Sequence, residues 1–148
     1  MVDLNIPEQN IEIKTINSKK YIFDLIRKKH LVLTPEEWVR QNLVSYFIND
    51  LNYPKGLIKT ESSLKYNNLK KRSDILIYNN DMTHYMIVEC KSYKMKLNKS
   101  HLNQSAMYNK IYRSRYLMVS NGMEHIVCEY DWEKETFKFR SSIPEFSY

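Results

Sequence analysis

Two acids and a lysine at the ends of two apolar segments are the residues of this chain best suited to chemistry. Asp74 opens one apolar segment, and Glu89-Cys90-Lys91 closes the next one. Residues two apart in a β-strand point to the same face, so we expect Glu89 and Lys91 to project together. Two carboxylates and an ammonium beside buried residues are costly unless a cation or a phosphate completes the group. This combination is what metal-assisted hydrolysis of a phosphodiester requires.

The length and composition are those of a globular protein. The chain has 148 residues, of which 43% are apolar and 13% aromatic, so one domain with a substantial core is expected. No apolar run approaches the ~18 residues that a membrane span needs, and the first residues lack the pattern of a secretory signal. Cys90 and Cys128 are too few for a disulfide framework or a zinc site. We therefore expect a cytoplasmic protein with reduced thiols and no membrane partner.

The charge favours a polyanionic partner. The formal net charge is +6, although a chain rich in Lys, Asn, Ile and Tyr could owe this to biased composition. The distribution is more telling, because Lys70, Lys71 and Arg72 immediately precede Asp74. Cations there would hold backbone phosphates of a nucleic acid without reading its sequence. The alternative for these three residues is a solvated charged loop.

A helix is predicted to begin at Thr34 and to end near residue 51. Thr34 suits the N-cap, Pro35 suits the first helical position, and Glu37 completes a capping box. The helical spacing of apolar residues predicts a buried stripe. The stripe consists of Val39, Leu43 and Phe47.

The remaining periodicities predict an α/β domain. Core strands are expected at residues 57–61, 74–78, 85–91 and 116–120, a second helix at 100–113, and β-hairpins at 11–26 and 126–140. Because the connection between the second and third core strands is short, these two strands should be antiparallel neighbours. The core order is helix, strand, strand, strand, helix, strand. This order predicts a central mixed sheet flanked by helices, with N-terminal and C-terminal β-hairpins outside the core.

With this order and these residues, the chain resembles the PD-(D/E)XK nuclease superfamily, whose fold is called restriction-endonuclease-like. Within it, the chain is most similar to the N-terminal nuclease domain of type I restriction enzyme R subunits (HsdR). The resemblance covers residues 34–121 and includes the helix start at 34–41 and the pair Asn121-Gly122. Ser73 stands where the motif name has Pro, a position that varies across the superfamily. We expect no helicase motor after the matched region.

The resemblance implies roles for the acids and the lysine. Asp74 and Glu89 would hold Mg²⁺, for which Mn²⁺ could substitute, and the backbone carbonyl of Cys90 would join the metal ligands. Lys91 would position or activate the attacking water. An acid on the first helix often completes such a cluster, and Glu36 and Glu37 compete for that role. We favour Glu36, because Glu37 already has a capping duty and Glu36 lies three residues before the buried stripe begins.

The second predicted helix carries a further match to related nucleases of the RecB type. These carry Gln-x-x-x-Tyr, and Gln104 and Tyr108 fit that spacing. The two residues lie one turn apart on the same helix face, where they would orient Lys91 or contact the DNA strand. The alternative is a core tyrosine beside a surface amide.

We therefore expect residues 1–148 to form a single restriction-endonuclease-like domain that acts as a Mg²⁺-dependent DNA endonuclease in restriction, defence or repair. Its partner would be DNA, together with either a second copy of the chain or a helicase or specificity subunit. The alternative is a module of the same fold that binds nucleic acid but cuts only with a partner or not at all. A purely structural domain and an RNA substrate also stay open.

Overall fold

A six-stranded mixed sheet forms the centre of the computed structural model. The model describes the backbone of residues 1–66 and 69–148, and the side chains of all residues except 61–73. The strands lie in the order β4-β5-β6-β7-β8-β9. They are β4 (Ile58–Tyr66), β5 (Leu69–Tyr78), β6 (His84–Cys90), β7 (Tyr116–Ser120), β8 (His125–Asp131) and β9 (Thr136–Arg140). Only β6 and β7 pair in parallel, and every other neighbouring pair is antiparallel.

Two helices pack on opposite faces of this sheet. Helix α1 (Pro35–Asn49) precedes β4, after which the short 3₁₀ turn Lys55–Leu57 leads into the sheet, and helix α2 (Lys99–Tyr112) connects β6 to β7. Side chains alternate between the faces of each strand. Ile75, Ile77 and Val88 belong to the core beneath α1, whereas Leu76, Ile87 and Leu117 belong to the core beneath α2. The predicted central mixed sheet flanked by helices is thus confirmed.

The start of α1 follows the sequence prediction closely. Thr34 is the N-cap, and its hydroxyl accepts a hydrogen bond of 3.0 Å from the Glu37 backbone N–H. The apolar stripe is fully buried, with zero exposure at Val39, Leu43 and Phe47. The helix ends two residues before the predicted boundary, which is within the usual uncertainty of helix ends.

The two strands before the candidate site are longer than predicted. β4 extends to Tyr66, and β5 begins at Leu69. Asp74 therefore lies within a strand rather than at its start. Residues 61–73 are mostly polar and lack an apolar alternation, yet backbone pairing between the two strands does not depend on side-chain type. Lys70, Lys71 and Arg72 therefore belong to β5, and their side chains lie outside the described residues.

The N-terminal region forms a separate three-stranded sheet rather than a simple hairpin. Its strands are β1 (Ile13–Ile16), β2 (Lys19–Asp24) and β3 (Lys29–Val32). β3 carries too few apolar residues to be recognised by pattern, and it is stabilised by pairing with β2 and by an edge contact between the rings of Phe23 and His30. The predicted C-terminal hairpin is present, but it extends the central sheet instead of lying outside it.

Within the part of the chain that the structure describes, no helix is both long enough and apolar enough to cross a bilayer.

Candidate active site

Glu89 is a buried acid near the end of an interior strand. It precedes the last residue of β6, and only 9% of its side chain is exposed. Its Oε1 lies 3.0 Å from Nζ of Lys91, and its Oε2 accepts a hydrogen bond from the hydroxyl of Ser105 on α2. Lys91 follows β6 directly, where its backbone N–H bonds to the carbonyl of Ser120 and so continues the parallel pairing. The sheet geometry therefore brings Glu89 and Lys91 together on the α2 side.

Asp74 lies where β5 and β6 stop pairing. The last paired positions of these strands at this end are Ile75 and Val88. Just beyond them, Oδ2 of Asp74 accepts a hydrogen bond of 2.7 Å from the backbone N–H of Cys90. The carboxylate thus supplies the acceptor at the point where backbone pairing between the strands ends, and this contact fixes its position relative to Glu89.

Arg40 of α1 reaches the same carboxylate from the other layer. Its side chain is only 6% exposed, and its Nη2 lies 3.2 Å from Oδ1 of Asp74. The guanidinium also contacts two acids of its own helix, with Nη2 at 3.4 Å from Glu36 and Nη1 at 2.7 Å from Glu37. Asp74 therefore has a cation beside one oxygen and a backbone donor beside the other.

The surroundings of Asp74 oppose its ionisation. Burial raises the pKa of this carboxyl from 3.8 to about 6, even though Arg40 and the Cys90 N–H act in the opposite direction. The negative charges of Glu36 and Glu89 raise the pKa of Asp74 further. The charge of Glu89 therefore opposes the ionisation of Asp74, and a cation near both acids would favour their charged forms.

Cys90 contributes backbone rather than side-chain chemistry to this region. Its thiol is 1% exposed and belongs to the core under α1. Burial raises the pKa of the thiol well above its ordinary value, and the charge of Asp74 acts in the same direction. The predicted ligand role of Cys90 concerns its carbonyl group and does not need a thiolate.

Glu36 and Glu37 differ in burial. The Glu36 side chain is 47% exposed, and that of Glu37 is 12% exposed. The prediction that Glu36 continues the buried stripe of α1 is therefore wrong, since nearly half of its side chain is exposed. Both acids contact Arg40, and the charge of Glu36 acts on Asp74. The assignment of Glu36 as a metal ligand stays a prediction.

One α2 residue that contacts Glu89 was not among the predicted ones. Ser105, which is 2% exposed, bonds to Glu89, whereas its neighbour Gln104 is exposed. Tyr108 is half-buried and packs against the core under α2. The roles predicted for Gln104 and Tyr108 stay predictions. Only the i, i+4 spacing of Ser105 and Asn109, both buried, could have indicated a polar stripe facing the sheet.

The donor set suits Mg²⁺ but does not form a ready-made cage. Among the side chains that the structure describes, no three His, Cys, Asp or Glu residues group closely enough to hold a metal ion. Mg²⁺ needs only one or two protein carboxylates, since water and phosphate oxygens fill its other positions. Asp74 and Glu89 provide such a pair. The ligand set of Asp74, Glu89, Glu36 and the Cys90 carbonyl stays a prediction.

The fold and the site define a class of protein. It is a mixed α/β domain in which two adjacent strands of the central sheet present an acid pair and a lysine, with one helix on each face.

Comparison with known families gives a more specific assignment. The model of the type I restriction enzyme R protein N terminus matches residues 35–144. The match covers most of the chain, so the chain belongs to this family, which confirms the relationship expected from its motifs.

A similar fold is found among solved structures, for example in the following chain. It is described as a fragment of an HsdR subunit of a type I restriction enzyme from Vibrio vulnificus YJ016. The TM-score is 0.54 at 17% sequence identity, and the similarity covers 76% of this chain. The chain spans only 24% of that structure's chain. No curated protein matches this sequence.

Proposed function

We propose that this protein is a metal-dependent deoxyribonuclease of the PD-(D/E)XK type, which hydrolyses phosphodiester bonds in restriction, defence or DNA repair. The observation that carries the proposal is the pair Glu89 and Lys91, 3.0 Å apart beside Asp74, in a domain of the R protein N-terminal family. An acid pair with an adjacent ammonium is the arrangement that the motif of this superfamily needs. Mg²⁺ is the proposed cofactor, and Mn²⁺ could substitute.

Some residues of the site would bind the metal ion, and Lys91 would stabilise the negative charge that develops during the reaction. Asp74 and Glu89 would hold the ion, with the Cys90 carbonyl as a third protein ligand and Glu36 as an additional acid. Bound Mg²⁺ would polarise the phosphoryl group and favour ionisation of a bound water. Lys91 would supply a fixed positive charge next to the attacking water and the developing negative charge.

Ser105 and Arg40 would keep the two carboxylates in place. The Ser105 hydroxyl fixes the rotamer of Glu89 from the α2 layer, and Arg40 contacts Asp74 from the α1 layer. Buried acids that lack such partners are destabilising, so these contacts make the site possible at neutral pH. The proposed reaction is a direct attack of water without a covalent enzyme intermediate.

DNA binding would depend on basic residues around the site. Lys70, Lys71 and Arg72 belong to β5 immediately before Asp74, so they are the proposed phosphate contacts. Gln104 and Tyr108 of α2 are proposed contacts to the strand near the metal. A further partner, either a second copy or a helicase or specificity subunit, would supply a second active site or deliver the DNA.

Plasmid cleavage tests the proposal. Supercoiled DNA is incubated with protein and Mg²⁺ or Mn²⁺, using the wild type and the variants Asp74→Asn, Glu89→Gln and Lys91→Ala. We expect nicking or linearisation by the wild type and a loss of at least about 100-fold in each variant. Glu129→Gln is the matched control, because Glu129 is a similarly buried acid of β8 that pairs with Arg115 and Arg140 away from the site. Equal cleavage by the wild type and all variants would point to a contaminant and refute the assignment.

A partner-dependent nucleic-acid-binding module is the second candidate function. It is favoured because each carboxylate already pairs with a cationic side chain of the protein: Arg40 contacts Asp74, and Lys91 contacts Glu89. Salt-sensitive DNA binding without cleavage, unchanged in Asp74→Asn, would support it. A parallel digest of DNA and RNA of the same sequence distinguishes the two possible substrates.

A further inference from the structure

Arg40 is a buried cation surrounded by carboxylates. Its side chain is 6% exposed, and its guanidinium lies within 3.4 Å of three acids: Glu36, Glu37 and Asp74. Arginine is rarely buried to this extent unless it is paired. Two of the acids belong to its own helix, whereas Asp74 belongs to the sheet. Arg40 therefore connects the α1 layer to the acid pair.

The contact between Arg40 and Asp74 uses a particular oxygen. Oδ2 of Asp74 accepts the backbone N–H of Cys90 at 2.7 Å, so that oxygen is held by the sheet. Oδ1 faces Nη2 of Arg40 at 3.2 Å. A divalent ion bound through Oδ1 would lie close to a guanidinium group, and two cations on one carboxylate oxygen repel each other.

Arg40 has another carboxylate partner when an ion binds Oδ1 of Asp74. Its Nη1 is already 2.7 Å from Glu37, and its Nη2 is 3.4 Å from Glu36. Because Glu37 lies one helical turn before Arg40, a rotation of the Arg40 side chain would preserve this ion pair without moving the helix. The cost of leaving Asp74 is therefore partly offset by contacts within α1.

We propose that Arg40 is a positioning residue that competes with the divalent ion for Oδ1 of Asp74 and thereby sets the metal affinity of the protein. This inference rests on the proposed function, since it takes Asp74 as a metal ligand. In the ion-free protein Arg40 compensates the charge of Asp74. In the ion-bound protein the guanidinium keeps its ion pair with Glu37, and Glu36 contributes its charge to the ion.

Calcium binding measured by titration calorimetry tests this proposal without relying on cleavage. We expect Arg40→Gln to bind Ca²⁺ about tenfold more tightly than the wild type, the change expected when one charge-assisted hydrogen bond no longer has to be broken. The same variant should melt at a lower temperature in EDTA, since its acids are left uncompensated. A purely structural role for Arg40 predicts the lower melting temperature with unchanged or weaker Ca²⁺ binding.

Arg115→Gln is the matched control, because it removes the same charge from a partly exposed arginine that pairs with Glu129 at the other end of β7. It should leave the Ca²⁺ affinity unchanged. If Arg40→Gln does not fold, Arg40→Lys replaces it, since a lysine ammonium cannot contact all three acids and should also bind Ca²⁺ more tightly than the wild type. If the wild type binds Ca²⁺ and the Arg40 variant binds it no more tightly, the inference about Arg40 is overturned and the proposed metal site is not. Absence of Ca²⁺ binding in both proteins overturns the proposed metal site together with it.

Discussion

The hydroxyl of Ser105 on α2 donates a hydrogen bond to the carboxylate of Glu89 on β6. Both residues are buried, with 2% and 7% of their surfaces exposed. Lys91 contacts the other carboxylate oxygen of Glu89 at 3.0 Å. The α2 layer therefore determines how Glu89 is presented, in the same way that Arg40 of the α1 layer contacts Asp74. The two acids of the site are each held by a different helix.

Replacing Ser105 should impair the site more than the fold. In Ser105→Ala, one oxygen of a buried carboxylate loses its donor, which should cost about 1–3 kcal/mol. We expect a lower melting temperature. Because Glu89 can then rotate, DNA cleavage should also need a higher Mg²⁺ concentration to reach half of its maximal rate. Ser100→Ala on the same helix is the control, since the Ser100 hydroxyl bonds at the exposed helix start to Asn98. Similar behaviour of the two variants would argue against a positioning role for Ser105.

Asp74 should make the stability of the metal-free protein depend on pH. Its pKa is about 6 in the folded protein against an ordinary 3.8, so the folded state favours the protonated form. This contribution to stability is fully present below pH 3.8 and is lost as the pH rises through 6. The difference corresponds to on the order of 3 kcal/mol.

The variant Asp74→Asn removes this titration. In EDTA, the melting temperature of Asp74→Asn minus that of the wild type should therefore rise from pH 4.5 to pH 8, a range that brackets the pKa of about 6. Asp3→Asn, which changes an exposed acid near the N-terminus, should show no such trend. A constant difference between Asp74→Asn and the wild type across this range would contradict the burial argument.

Asp74, Glu89 and Lys91 could be predicted from the sequence because their signal is local. An Asp before one apolar segment and a Glu-x-Lys at the end of the next define both the strands and the face on which Glu89 and Lys91 project. The start of α1 was equally local, since Thr34 and Pro35 are specific to helix N-termini. These features depend on residues within one turn or one strand of each other.

Arg40 and Ser105 could not be predicted in the same way. Polar residues within a helix are usually exposed, and only the packing of α1 and α2 against the sheet decides that these two are buried. The pairing of β3 and the extended parts of β4 and β5 were missed for a related reason. Their stability comes from backbone hydrogen bonds to a neighbouring strand, and such bonds leave no pattern of apolar residues in the sequence.

The two glycines of the chain should respond very differently to substitution. Gly122 has φ +85°, and a Cβ atom built on it would lie 2.7 Å from Cδ2 of Leu4 and 3.1 Å from Cγ2 of Val39. We expect Gly122→Ala to cost about 1–3 kcal/mol through backbone strain and displaced side chains. Gly56→Ala is the internal control, because no atom lies within 4 Å of its Cβ position. Chemical denaturation of both variants measures the difference, and equal midpoints would refute the strain at Gly122.

The two acids at the start of α1 should separate into a functional and a structural residue. Glu36 is 47% exposed and 3.4 Å from Arg40, so Glu36→Gln should change the unfolding free energy by less than about 1 kcal/mol. Glu37 is 12% exposed, lies 2.7 Å from Arg40, and accepts a hydrogen bond from Gln41. Glu37→Gln should therefore lower the stability more than Glu36→Gln does.

Metal binding should rank the same two variants in the opposite order if Glu36 is the additional acid of the site. We expect Glu36→Gln to weaken Mn²⁺ binding, measured by calorimetry, more strongly than Glu37→Gln, because the charge of Glu36 already acts on Asp74. Unfolding by urea and Mn²⁺ titration on the same samples provide the comparison. A larger loss of Mn²⁺ affinity in Glu37→Gln would reverse the assignment and make Glu37 the helix acid of the site.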